Sequence, residues 1–159
     1  MILNPPGLGS GGARLLPHWP CLKAVGTALT HRAIAPGRGR ADRTRPHSDV
    51  PLYLVLTWDI GRTTSGHGLR LRWDDETGWA YARHGATTAL TTMLRPITVL
   101  HRVFADPEDI AETAGHLICE GRLPTGEYGT EWDGAAETRA TIDAFRAVME
   151  QGGLWTGAG

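Results

Sequence analysis

Residues 69–83, LRLRWDDETGWAYAR, constrain the fold more than any other stretch. Apolar and polar residues alternate on both sides of Asp75-Glu76-Thr77-Gly78, and a period of two belongs to strands with one face buried. A type I turn closed by a left-handed glycine joins such strands into a hairpin. In the register this turn suggests, Asp75 pairs with Trp79 and Trp73 lies opposite Tyr81. Leu69, Leu71, Trp73, Trp79 and Tyr81 then share one face; Arg70, Arg72, Asp74, Ala80 and Ala82 share the other. The aromatic face needs a second layer to cover it.

The neighbouring text supplies candidates for both layers. Residues 52–58 (LYLVLTW) read as a strand apolar on both faces, and 97–104 (ITVLHRVF) as a further strand. Residues 87–94 fit either a loop or a short helix. Asp106-Pro107-Glu108-Asp109 is a helix start, with Asp as N-cap and Pro at the first helical position. That helix is expected to reach about Glu120, stop at Gly121, and bury Ile110, Ala114, Leu117 and Ile118. A second helix is expected over 133–151, burying Ala136, Ala140, Phe145, Val148 and Met149. Strands followed by helices indicate an α+β fold, a small antiparallel sheet of three to four strands with two C-terminal helices packed on one face.

Charge divides the 159 residues unevenly. Residues 1–47 hold seven basic side chains against Asp42 alone, whereas 48–159 hold nine arginines against sixteen acids. With its Pro, Gly and Arg content, 1–47 reads as a basic, mostly disordered arm containing a short amphipathic helix at 22–35 and an exposed linker at 36–46. Residues 48–151 read as one domain and 152–159 as a frayed tail. Lys23 is the only lysine among 16 basic residues, the mark of a GC-rich coding sequence, so arginine abundance by itself says nothing of nucleic acid. Cys21 and Cys119 are the only cysteines and fall in unrelated segments, which suggests a reducing, cytoplasmic setting without a disulfide. The start does not read as a signal peptide, and no apolar run reaches the roughly 18 residues a membrane span needs.

The strand at 55–58, the segment Leu71-Arg72-Trp73-Asp74-Asp75-Glu76-Thr77-Gly78-Trp79 and the Asp-Pro helix at 106–120 together resemble small actinobacterial domains of unknown function. In those domains a short A-V-x-x-A-L helix precedes a strand, a W-D-E-x-x-G-W hairpin and a helix. Lys23-Ala24-Val25-Gly26-Thr27-Ala28-Leu29 matches that first helix, so the resemblance spans 23–121. The linker at 36–46 and the helix at 133–151 depart from the pattern. The resemblance implies an order of elements and no chemistry.

No residue set forms a catalytic, cofactor or metal motif. Asp74-Asp75-Glu76 clusters carboxylates as cation sites do, but acids also favour solvated turns and no calcium-loop spacing accompanies them. Residues 61–68 (GRTTSGHG) follow a strand as a phosphate loop does, yet lack Gly-Lys-Ser/Thr and precede a strand; Arg62 there could still meet an anion. His116 and Cys119 lie one helical turn apart without a second ligand pair. The aromatics Tyr53, Trp58, Trp73, Trp79 and Tyr81 form either a core or a stacking platform, with burial favoured. Arg70, Arg72, Arg62 and Asp74 are therefore the candidate binding residues, on the sheet's polar face and its loops.

Three functions follow. The first is a non-catalytic binding or regulatory domain with a protein partner, working through the sheet's polar face or its acidic helical face. The second is nucleic-acid association through Arg32, Arg38, Arg40, Arg43 and Arg45 of the arm. The third is a hydrolase or transferase built from His84 or His101 with Asp59 or Asp74, which requires those groups to converge; nothing in the spacing of Ser65, His84 and Asp59 demands a triad.

Overall fold

The computed structural model describes residues 2–3, 16–43, 51–85 and 93–157. Its elements in chain order are β1 (Ile2–Leu3), α1 (Trp19–His31), β2 (Arg38–Arg43), β3 (Leu52–Trp58), β4 (Gly68–Asp74), β5 (Gly78–His84), β6 (Arg95–Pro96), α2 (Pro107–Cys119) and α3 (Ala135–Glu150). Strands β2 to β6 pair in sequence order as an antiparallel sheet, and β1 adds to β2 in parallel. The class is α+β, with five antiparallel strands where the sequence suggests three to four, and three helices, one of them the helix expected in the arm.

The extra strand comes from the supposed arm. Residues 19–43 are helix α1 and strand β2, not disordered chain. Pro20 sits in the first turn of α1, where its missing N–H costs nothing, and Cys21, Leu22, Val25, Ala28 and Leu29 bury one helical stripe. The helix starts three residues earlier than the expected 22 and ends at His31. Strand β2 pairs along its full length with β3, from Arg38 opposite Thr57 to Arg43 opposite Leu52. An exposed linker at 36–46 is thereby ruled out over 38–43. Residues 44–50, 86–92 and most of 1–15 lie outside the described residues, so the rest of the arm, with Arg45, is not placed.

One face of the sheet is the core. Leu52, Leu54, Leu56 and Trp58 on β3 and Leu69, Leu71 and Trp73 on β4 are all buried. They join α1 and α2 residues such as Leu22, Leu29, Ile110 and Leu117 in one cluster, so the tryptophans are core rather than platform. Trp58 donates its indole N–H to the Ile34 carbonyl at 2.7 Å and Trp73 donates to Val103 at 2.7 Å. These two rings thus spend their one donor on connecting segments, whereas the indole N–H of the buried Trp79 has no partner among the described residues. The other face of β3 (Tyr53, Val55, Thr57) is only half-buried, so the strand is interior to the sheet but not covered on both sides.

The hairpin is present with its register moved by two residues: Trp73 opposes Trp79 and Leu71 opposes Tyr81. An even shift leaves every side chain on the expected face. Gly78 closes the turn at φ 83°, and a Cβ there would stand 1.6 Å from the Arg102 carbonyl oxygen. Only glycine meets both conditions.

Residues 97–104 are not a strand. After the two-residue β6, Ile97, Leu100 and Phe104 are buried at spacings of three and four, and the segment crosses the hairpin turn as irregular chain. The Val99 carbonyl accepts from the Tyr128 amide and the Phe104 carbonyl from the Trp132 amide, beside isolated bridges of Leu100 with Tyr128 and Ala105 with Glu131. Helix α2 agrees with its sequence signature, Asp106 accepting from the Glu108 amide. Helix α3 is rotated from the expected stripe: Ala135, Thr138, Ile142 and Phe145 are buried while Ala136 and Ala140 are exposed. Part of the supposed tail packs, with Trp155 edge-on to Phe145 at 5.4 Å between centroids.

Candidate functional site

Strand alternation turns a second set of side chains away from the core. Across one row Arg38, Thr57, Arg70 and Ala82 are mutual neighbours; across the next, Arg40, Val55, Arg72 and Ala80. Two arginines of β2 and two of β4 therefore flank the central strand β3. Adjacent strands lie about 4.8 Å apart and alternate residues about 7 Å along a strand, so the four stems mark a rectangle of roughly 10 by 7 Å. Tyr53, Val55 and Thr57 floor it, Leu94 closes one side, and the shallow hollow between them measures about 390 Å³.

Tyr53 organises one end of this face. The Arg72 guanidinium lies 5.1 Å from its ring centroid and that of Arg40 lies 6.0 Å away. Arg40 also binds the Asp42 carboxylate, which holds its charge more firmly still. Arg38 and Arg70 are exposed, and among the described residues neither they nor Arg72 pairs with a carboxylate. The result is a sheet face of one charge sign, with acids only at the row that ends it, Asp42 and Asp74 on either side of Tyr53.

Of the residues singled out from sequence, Arg70 and Arg72 stand on this face. Arg62 does not line the hollow; it is exposed in the short 3₁₀ turn after β3, its side chain against Gly37 beside Arg38. Asp74 caps its own turn, accepting from the Glu76 and Thr77 amides and the Thr77 hydroxyl. The arm arginines divide. Arg38 and Arg40 join the face, Arg32 bridges Glu108 and Glu112 of α2, and Arg43 turns to the core side over Phe145. Sequence reading missed Arg38, Arg40, Tyr53 and Thr57 as neighbours of Arg70 and Arg72. The signal was the alternation Arg38-Gly39-Arg40-Ala41, obscured because the inward residues are too small to look hydrophobic.

The groups needed for acid–base chemistry are dispersed. His101 approaches Glu131 at 3.9 Å, His116 binds Glu120 at 3.0 Å, and Asp74 is committed to its turn. His84 packs its ring over Gly68, where a Cβ would stand 2.0 Å from it. Among the described residues no hydrogen bond joins His84, His101, Ser65, Asp59 and Asp74 to one another. The glycine-rich loop has spent its amides: those of Thr64 and Ser65 both donate to the Ile118 carbonyl at the end of α2. No three His, Cys, Asp or Glu among the described residues stand close enough to share a metal. Both cysteines are free thiols; burial pushes that of Cys21 up to about 12.

None of the described helices is long and apolar enough to cross a membrane. No family model, curated protein or solved structure matches this chain, and nothing bears on its likeness to the actinobacterial domains.

Proposed function

We propose that this chain is a non-catalytic binding domain, cytoplasmic, whose open sheet face takes an anionic partner. The observation that carries the reading is that Arg38 and Arg40 share a face with Arg70 and Arg72, across three paired strands. The basic arm and the polar sheet face, rival sites in the sequence, thereby merge into one surface. Arginine suits it: a planar fork with five donors meets phosphate or carboxylate in two parallel hydrogen bonds and keeps its charge at any physiological pH. The free cysteine thiols support the reducing setting.

Retention on immobilised heparin tests the reading. The wild-type chain is expected to elute at higher salt than the Arg38→Glu/Arg70→Glu variant, while Arg122→Glu, far along the chain on the α2 side, elutes as wild type. Equal elution of wild type and the double variant would exclude this face.

A further inference from the structure

We infer that the anionic partner is a single-stranded nucleic acid, laid across the sheet with its phosphates on Arg38, Arg70 and Arg72, beside the Arg40–Asp42 pair. The inference rests on the reading of this face as an anion site and adds the class of ligand. Three features carry it.

The first is the shape of the charge. The arginines stand in two parallel rows on a floor three strands wide, not in a ring around a closed pocket. A repeating anion engages both rows at once, whereas a lone phosphate reaches one corner.

The second is the flat π-surface. Arg72 lies over Tyr53 and Arg40 beside it, 5.1 and 6.0 Å from the ring centroid, so an aromatic ring and guanidinium groups stand together on this half-buried face. Unpaired bases stack on aromatic rings and on guanidinium planes alike. An acidic peptide has carboxylates for the charge but nothing for these planes.

The third is the absence of any protruding element on this face among the described residues, since all three helices contribute to the opposite layer. Duplex DNA is read by a helix or ribbon entering a groove, and a sheet floor of Tyr53, Val55 and Thr57 offers neither. Splayed single-stranded bases fit such a floor.

The test is fluorescence anisotropy of the full chain with fluorescein-labelled dT12, between 50 and 200 mM NaCl. Neutralising three phosphates of a single strand gives a slope of log K against log salt of about −2, roughly a twenty-fold loss over that range. Arg38→Ala/Arg70→Ala should cut the slope by about two-thirds, and Arg38→Lys/Arg70→Lys should keep it, with near-UV circular dichroism confirming that both fold. An rU12 probe then tells RNA from DNA. Binding of a labelled oligoglutamate peptide of the same length, without dT12 binding, would overturn the nucleic-acid inference and leave the anionic face standing. Tighter binding to a 12-base-pair duplex would overturn the single-strand geometry. A slope unchanged by Arg38→Ala/Arg70→Ala, or loss of both dT12 binding and heparin retention, would overturn the inference and the reading beneath it together.

Discussion

The guanidinium of Arg72 lies over the ring of Tyr53, 5.1 Å from its centroid, although the two residues belong to different strands and neither is adjacent to the other in the ladder. Their strands run antiparallel, and the diagonal between them is within reach of a long side chain. The contact therefore holds a long cationic side chain beside an aromatic ring on the open face.

Replacing Tyr53 by Leu removes that support without removing charge. Cation–π contacts at partly exposed sites are worth about 0.5–1 kcal/mol each, and Tyr53 makes two. The expected outcome is a loss of roughly five- to thirty-fold in dT12 affinity with the salt slope unchanged, measured by anisotropy. A changed slope would mean that Tyr53 acts through the phosphate contacts instead.

His18 makes the fold sensitive to mild acid. Its ring is buried, stacked on Trp73, and its Nε2 donates to the Tyr53 carbonyl at 3.1 Å while Nδ1 has no partner among the described residues. Burial lowers its pKa from 6.5 to about 4. The unfolded chain therefore binds a proton below pH 6.5 that the folded chain refuses until about pH 4, and stability falls as pH drops through that window. The loss between pH 7.5 and pH 5 is expected to be about 2 kcal/mol, read from urea midpoints. In His18→Gln this part of the pH dependence disappears.

Asp75 ties the hairpin turn to α3. Its side chain, 3% exposed, accepts from the Leu52 amide at 3.0 Å and from Arg146 at 2.7 Å. Burial raises its pKa, and the Arg146 charge opposes that rise. Arg146→Met leaves a carboxylate buried without its cation and should cost about 3 kcal/mol, whereas Asp75→Asn retains an acceptor for Leu52 and should cost less. Chemical denaturation of both variants checks the order; the reverse order would show that the amide contact dominates.

Gly78→Ala should be the most damaging single change in the hairpin. It demands a left-handed backbone at φ 83° and drives a methyl into the Arg102 carbonyl. Strain and overpacking each cost about 1–3 kcal/mol, so the melting temperature should fall by many degrees or the protein should fail to accumulate. A variant that melts within a degree of wild type would contradict the close crossing of residues 97–104 over the turn.

What could be read from sequence follows the strength of local signals. Helix α2 was legible because Asp106, Pro107 and Gly121 mark its ends chemically. The hairpin faces were legible because Leu, Trp and Arg alternate, while its register was not, since shifting the pairing by two changes no face. Strand β2 was hidden because its inward residues, Gly39 and Ala41, are small and its outward ones charged, which is also the composition of a linker. The buried stripe of α3 was not legible because alanine carries little preference, and Phe145 and Ile142 alone fix it. All four arginines of the candidate site could be named in advance, Arg70 and Arg72 on the sheet and Arg38 and Arg40 in the arm, but as two separate sites. Their union depends on a pairing between residues 38–43 and 52–58 that only the tertiary fold reveals.

The most direct test of the open face is amide chemical-shift mapping of the ¹⁵N-labelled chain titrated with dT12. Binding on this face is expected to perturb Arg38, Arg40, Val55, Thr57, Arg70 and Arg72 and to leave α2 and α3 undisturbed. Perturbations confined to α2, α3 or the first fifteen residues, or none at all, would contradict it.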